Sequence, residues 1–280
     1  YMRNTIILAA AVLVLTVGCK SVSEEQKVAD YQTKVETLMK DYQTKTENIE
    51  SDTTMTDEAR SAALESLYEK TLKQYISDAK SVIKRNPPSP VAVVALQEVY
   101  SALEANELEE MVGMIKSEVA DTNAFIINLK ETIASKKATA EGQMFTDFTV
   151  LQDPKDAASA VKFSDFVGKG KYVLVDFWAS WCGPCKREIP NIAAVYDKYK
   201  GDDFDVLSIA VWDKPEDTAK AAAEHGVVWS QIINAQKIPT DIYGIEGIPH
   251  IMLVGPDGII LKRDLRGADI EKAVAEALGR

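Results

Sequence analysis

From Val28 onward the apolar residues fall at Val28, Tyr31, Val35, Leu38, Tyr42 and Ile49. Steps of three and four residues, close to a heptad, predict a long amphipathic helix. The polar run at 51–54 ends it. A second helical stripe spans 57–84 and places Leu64, Leu67, Tyr68, Tyr75, Ile76, Ala79 and Ile83 on one face. Residues 85–90 read Arg-Asn-Pro-Pro-Ser-Pro and form a loop. Ser89 then Pro90 is a favourable N-cap and first-turn pair, so a third helix is expected over 91–103. Two more follow, over 107–119 and 123–138. Residues 26–140 therefore read as an all-α domain of five helices. Its heptad stripe is either core, within a hairpin folded on its own domain, or a dimerisation or docking surface.

The texture changes at Gly142. Residues 144–151 alternate and predict an edge strand, and 153–156 are a turn. A hairpin then leads into the apolar, β-prone run at 171–178, which has the character of a buried parallel strand. A helix follows over 185–199, a strand over 204–211, and helices over 215–225 and 238–243. Strands at 250–254 and 259–263 flank Pro256-Asp257-Gly258, where Asp-Gly is a strong turn signal. A closing helix covers 269–278. Strands and helices alternate through 143–280, which reads as an α/β domain.

The chain has 280 residues, which fits two domains, and 46% apolar with 27% charged residues is ordinary for a globular protein. A net charge of −11 without a basic stretch argues against nucleic acid as a partner. At the N-terminus, Arg3 precedes an apolar stretch over 5–17, too short for a comfortable membrane span and right for a signal-peptide core. It ends Leu15-Thr16-Val17-Gly18-Cys19. A small residue before a cysteine resembles a bacterial lipoprotein cleavage site, although Thr16 stands where that pattern has leucine. The expectation is a signal peptide over 1–18, a diacylated Cys19 beginning a tether over 19–25, and a periplasmic protein held to a bacterial membrane. The alternative is an ordinary signal peptide with an incidental cysteine.

The other two of the three cysteines carry the chemistry. Residues 176–186 read Asp-Phe-Trp-Ala-Ser-Trp-Cys-Gly-Pro-Cys-Lys. Cys182 falls where a strand hands over to a helix N-terminus. There unpaired amides and the helix dipole favour an anion, so a lowered thiol pKa and an exposed sulfur are expected. Cys185 lies one turn on, less exposed, within reach of a disulfide. The layout suits thiol–disulfide exchange: Cys182 attacks and Cys185 resolves. Pro184 lacks an amide hydrogen at a position that needs none.

These residues, from Val175 to Lys186, closely resemble the thioredoxin family, and the resemblance covers 143–280. The hairpin before the core strand and the extra helix and strand near 215–233 resemble its exported, membrane-anchored TlpA/ResA-like branch. The resemblance implies a thioredoxin-like α/β fold, a mixed sheet flanked by helices, and no cofactor beyond the redox-active Cys182–Cys185 pair. It implies that Gly183 and Pro184 tune the dithiol toward the reducing end. Asp176 matches the buried acid that accepts a proton from the resolving cysteine. Pro249 matches a cis-proline that packs against the disulfide, with Ile248 pairing to substrate backbone. Trp181 offers a substrate surface and Trp178 belongs to the core. The implied partners are protein disulfides and a membrane thiol donor. Related proteins serve apocytochrome c in cytochrome c biogenesis.

Other readings are weaker. Half a zinc site would need two ligands from Cys19, His225 and His250, whose spacing fits no finger. Copper delivery would pair the cysteines with His250, which otherwise simply starts a strand. The peroxidase pattern Pro-x-x-x-Thr-x-x-Cys is absent. Glu246 is a charged loop residue or a modulating carboxylate. A partner-binding lipoprotein with an accessory redox site remains the functional alternative.

Overall fold

The computed structural model describes residues 22–280. The expectations for residues 1–18 and Cys19 fall outside that range. The chain divides into two compact units, with the division after Ile127. Among the described residues, no helix is long and apolar enough to cross a membrane.

The first unit is helical. Helices α1 (Glu24–Ser51) and α2 (Asp57–Arg85) are capped by the Ser23 and Thr56 hydroxyls, which accept from the backbone of Gln26 and Ala59. Both begin with acidic first turns, which suit the positive end of the helix dipole. Helix α3 (Pro90–Val99) starts at the expected Ser89–Pro90 cap and packs against both. The α1 stripe thus meets its own chain, although only Tyr31 within it is fully buried. Tyr75 of α2 donates to the backbone and the carboxylate of Glu98. The single helix expected over 107–119 is instead α4 (Ala105–Gly113) and a separate turn, α5 (Ser117–Ala120). The Glu104/Glu107 capping box moves the start of α4 forward, and the chain leaves the helix after Gly113, the weakest helix former in the segment. Helix α6 (Ala124–Ala138) spans the division between the units.

The second unit is built on a five-stranded mixed sheet. Its strands are β3 (Tyr172–Trp178), β4 (Phe204–Ala210), β5 (Ser230–Ile232), β6 (His250–Val254) and β7 (Ile260–Lys262), ordered β5-β4-β3-β6-β7. Strands β3, β4 and β5 run parallel, and β6 and β7 are antiparallel additions. Helices α7 (Gly183–Tyr199), α8 (Pro215–Glu224) and α10 (Ala268–Leu278) contribute to the core on one sheet face, with Leu174 and Trp178 of β3. The opposite core takes Val173, Val175 and Phe177 with Tyr243 of α9 (Ile238–Tyr243). A small antiparallel hairpin, β1 (Thr149–Leu151) with β2 (Ala160–Lys162), carries Phe148 and Phe163 onto that second face.

The edge strand expected over 144–151 is shorter than its alternation suggests. Met144 makes one bridge to Ile259, and regular pairing starts only at Thr149. Between them the Asp147 carboxylate accepts from the backbone and hydroxyl of Ser164, and Phe145 donates its N–H to Gly258. Those bonds replace a ladder. Gly258 has φ +90°, and a Cβ there would sit 2.8 Å from the Phe145 ring, so the Asp257-Gly258 turn requires glycine on both counts. Gly244 ends α9 at φ +61°, and a Cβ there would strike Lys136 and the Thr132 carbonyl of α6.

Candidate active site

Strand β3 places the site. Its side chains alternate between faces, so Asp176 shares the α7 face with Leu174 and Trp178, while Phe177 points the other way. The strand ends at Trp178, and four residues later Cys182 is the N-cap of α7. Its sulfur accepts the Cys185 backbone N–H at 3.1 Å, so sulfur occupies the place a capping oxygen usually takes. Gly183 and Pro184 form the first turn, and Cys182 and Cys185 are joined in a disulfide.

Contrary to expectation, Cys182 is buried. It is 3% exposed and Cys185 is 2% exposed. The cause is the loop before β6. The Ile248 carbonyl oxygen lies 3.7 Å from the Cys182 sulfur, which as a disulfide sulfur has no hydrogen to donate. The Ile248–Pro249 peptide bond is cis. The Pro249 carbonyl accepts from the Arg266 guanidinium, and the adjacent Gly267 N–H donates to Glu188 of α7 at 3.0 Å. The loops on either side of the disulfide are therefore tied to each other.

Asp176 is 2% exposed. The Ser208 hydroxyl donates to its carboxylate at 3.2 Å, and Ser208 in turn accepts from the Trp229 indole at 2.9 Å. Burial pushes the Asp176 carboxyl up to about 7, against the opposing pull of that hydroxyl and of Arg266. Neither Ser208 nor Trp229 was singled out from the sequence. A lone serine within the apolar run of β4 is the signal that could have marked the first. Nothing local marks the second, because it arrives from the segment before β5.

The approach to the cysteines is held by Asp213. Its buried carboxylate accepts from the backbone and hydroxyl of Ser180, at 2.6 and 2.9 Å, and from the Thr218 hydroxyl at 2.8 Å. Trp181 remains 60% exposed beside the disulfide, and its indole N–H donates to the Trp212 carbonyl. Trp178 is core, as expected. His250 begins β6 opposite Phe177, on the sheet face away from Asp176. Its Nδ1 pairs with Asp264 at 2.8 Å and its Nε2 meets Arg263, while burial pushes its pKa down. It is therefore not aimed at the dithiol. Glu246 pairs with Lys136 as an ordinary loop charge. Among the described residues no cluster of His, Cys, Asp and Glu is arranged to hold a metal.

A dithiol at a helix N-terminus, a buried acid on the strand beneath it and a cis-proline loop above it define a thioredoxin-fold thiol–disulfide oxidoreductase. Comparison with known proteins agrees. Residues 141–263 match the AhpC/TSA family. The thiol-disulfide oxidoreductase ResA of Geobacillus kaustophilus is 32% identical over 44% of this chain and 68% of that protein. ResA of Bacillus subtilis is 28% identical over 46% and 69%. The crystal structure of the thioredoxin domain of a Bacteroides vulgatus thiol-disulfide oxidoreductase is 34% identical, covering 49% of this chain and 96% of that one, with a TM-score of 0.43. The chain belongs to the ResA-like thiol-disulfide oxidoreductases.

Proposed function

We propose that the protein reduces or isomerises disulfides of exported polypeptides, with Cys182 as nucleophile, Cys185 as resolving thiol and Asp176 as the proton acceptor. The observation that carries this reading is the Cys182 sulfur seated as the N-cap of α7. The Cys185 N–H and the helix dipole there stabilise a thiolate once the pair is reduced.

The Cys182 thiolate attacks one sulfur of a client disulfide. A Cys182–client bond forms, the client S–S bond breaks, and the departing client thiolate takes a proton. Cys185 then loses its proton to the Asp176 carboxylate, and its thiolate attacks the Cys182 sulfur. The mixed disulfide breaks, the second client thiolate leaves, and the enzyme is left oxidised. A carboxyl raised to about 7 suits this role, because a base is most effective when its pKa lies near the operating pH. Ile248 and Pro249 are proposed to align the client backbone over the disulfide, and Trp181 to receive its flank. A membrane thiol donor returns the pair to the dithiol.

Export and a lipid anchor at Cys19 rest on the apolar stretch before Gly18–Cys19. Copper delivery through His250 is not supported, since that ring faces away from the cysteines. A peroxidase, which an AhpC/TSA match alone could suggest, lacks the Pro-x-x-x-Thr-x-x-Cys pattern.

The test is trapping. Cys185→Ser in the full chain, reduced and mixed with a disulfide-bonded unfolded polypeptide, accumulates a covalent complex that dithiothreitol releases. Cys182→Ser forms none. Complex formation through Cys185 in the Cys182→Ser protein, or none in either, overturns the assignment.

A further inference from the structure

Where the loops that carry Trp181 and Trp212 meet lies an open cavity of about 330 Å³, lined by those two residues with Asp213, Lys214, Pro215, Asp217 and Gln236. Its size falls within the range of small-ligand pockets, about 300–1,000 Å³. Trp181 immediately precedes Cys182, so one wall of this cavity is a single residue along the chain from the attacking cysteine.

The cavity is a built feature. Trp212 has φ +54° and Gln236 has φ +52°, left-handed conformations that side-chain-bearing residues rarely adopt. Strain of this kind persists only where the surroundings enforce it, and it gathers at ligand clamps. Here the enforcement is visible. The Trp212 N–H donates to the Gln236 carbonyl at 3.3 Å. The Gln236 amide donates to the Asp213 carbonyl at 2.6 Å. The Trp181 indole donates to the Trp212 carbonyl at 3.1 Å. Asp213, through Ser180 and Thr218, fixes the same loop from beneath. The loops bearing the two tryptophans are therefore locked to each other.

The walls name the occupant. Trp181, Trp212 and Pro215 give it apolar, largely aromatic walls. Of the charged groups in the lining, Asp213 is already bonded to Ser180 and Thr218, which leaves Lys214 and Asp217 with opposite charges. Flat rings pair well with such walls. We infer that this cavity is a specificity subsite that receives an aromatic side chain of the client polypeptide, within two residues of the cysteine under attack. This inference rests on the disulfide-exchange reading and adds to it the class of client.

The experiment uses the full-length protein and short peptides, each with one disulfide. Within two residues of a cysteine they carry Phe, Tyr or Trp, or instead Ala, Lys or Glu. The readout is kcat/KM for peptide reduction with dithiothreitol as the electron source. Aromatic peptides are expected to be reduced at least about fivefold faster than the alanine peptide. The ratio falls to about one in Trp212→Ala and persists in Trp212→Phe. Equal rates for aromatic and alanine peptides with the wild-type protein overturn the inference while leaving the exchange reading intact. So does an undiminished ratio in a Trp212→Ala protein whose circular dichroism matches wild type. Failure to reduce any peptide refutes the exchange reading, and the subsite with it.

Discussion

The Asp176→Asn substitution isolates the cost of an ionised carboxylate beneath the disulfide. In the unfolded chain this carboxyl titrates near 3.8; in the folded protein burial raises it to about 7. Between those values the folded state holds a proton that the unfolded state has released. Stability therefore falls as pH rises through that window, and levels off above it. Each pH unit is worth about 1.4 kcal/mol, so the accumulated cost above neutrality is about 4 kcal/mol. Asparagine cannot ionise, yet its side-chain oxygen still accepts the Ser208 hydroxyl. At pH 4 variant and wild type should be similarly stable. At pH 9 the variant should be the more stable by about 4 kcal/mol. Urea unfolding of the oxidised proteins followed by tryptophan fluorescence is the appropriate assay, because all four tryptophans, at 178, 181, 212 and 229, lie in the unit that contains Asp176. Other titrating groups cancel in the difference between the two proteins. A difference that is the same at pH 4 and pH 9 refutes the argument.

Three further expectations follow from neighbouring contacts. Ser208→Ala removes the hydroxyl that stabilises the Asp176 carboxylate and strands the Trp229 N–H, so the pH dependence of client release from the mixed disulfide should move to higher pH, with stability lower by about 1–3 kcal/mol; an unmoved profile argues against the relay. Asp213→Ala frees the Ser180 backbone and hydroxyl, and should lower kcat/KM for peptide disulfides more than for a small aromatic disulfide, since the loop that carries Trp181 loses its anchor. Arg263→Met leaves the Thr139 and Tyr243 carbonyls without the guanidinium they share, and should cost about 3 kcal/mol in denaturant unfolding.

The redox centre was legible in the sequence because its parts are local. Cys182, Pro184 and Cys185 lie within one helical turn, and Asp176 sits on the strand that feeds it. Strand and helix identities across the second unit could be read because periodicity and turn chemistry agree there, as at Asp257-Gly258. The supports were not legible. Ser208 and Trp229 reach Asp176 from β4 and from the segment before β5, and Arg263 gathers Thr139, Tyr243 and His250 from three separate elements. Such contacts depend on which strands become neighbours, which no local pattern encodes. The buried Cys182 sulfur was missed for the same reason: helix position predicts exposure, but the covering loop arrives from Ile248, far along the chain. In the helical unit, the break after Gly113 was hidden by an apolar pattern that continues beyond it.

The direction of electron flow tests the account most directly. The reduction potential of the Cys182–Cys185 pair can be read by equilibrating the full-length protein with thiol buffers and following Trp181 fluorescence. A dithiol with Gly-Pro between its cysteines and a reducing role should lie below roughly −250 mV, in the range of thioredoxin. A value above roughly −180 mV would place the protein with isomerases and oxidants and contradict the reducing poise read from Gly183 and Pro184.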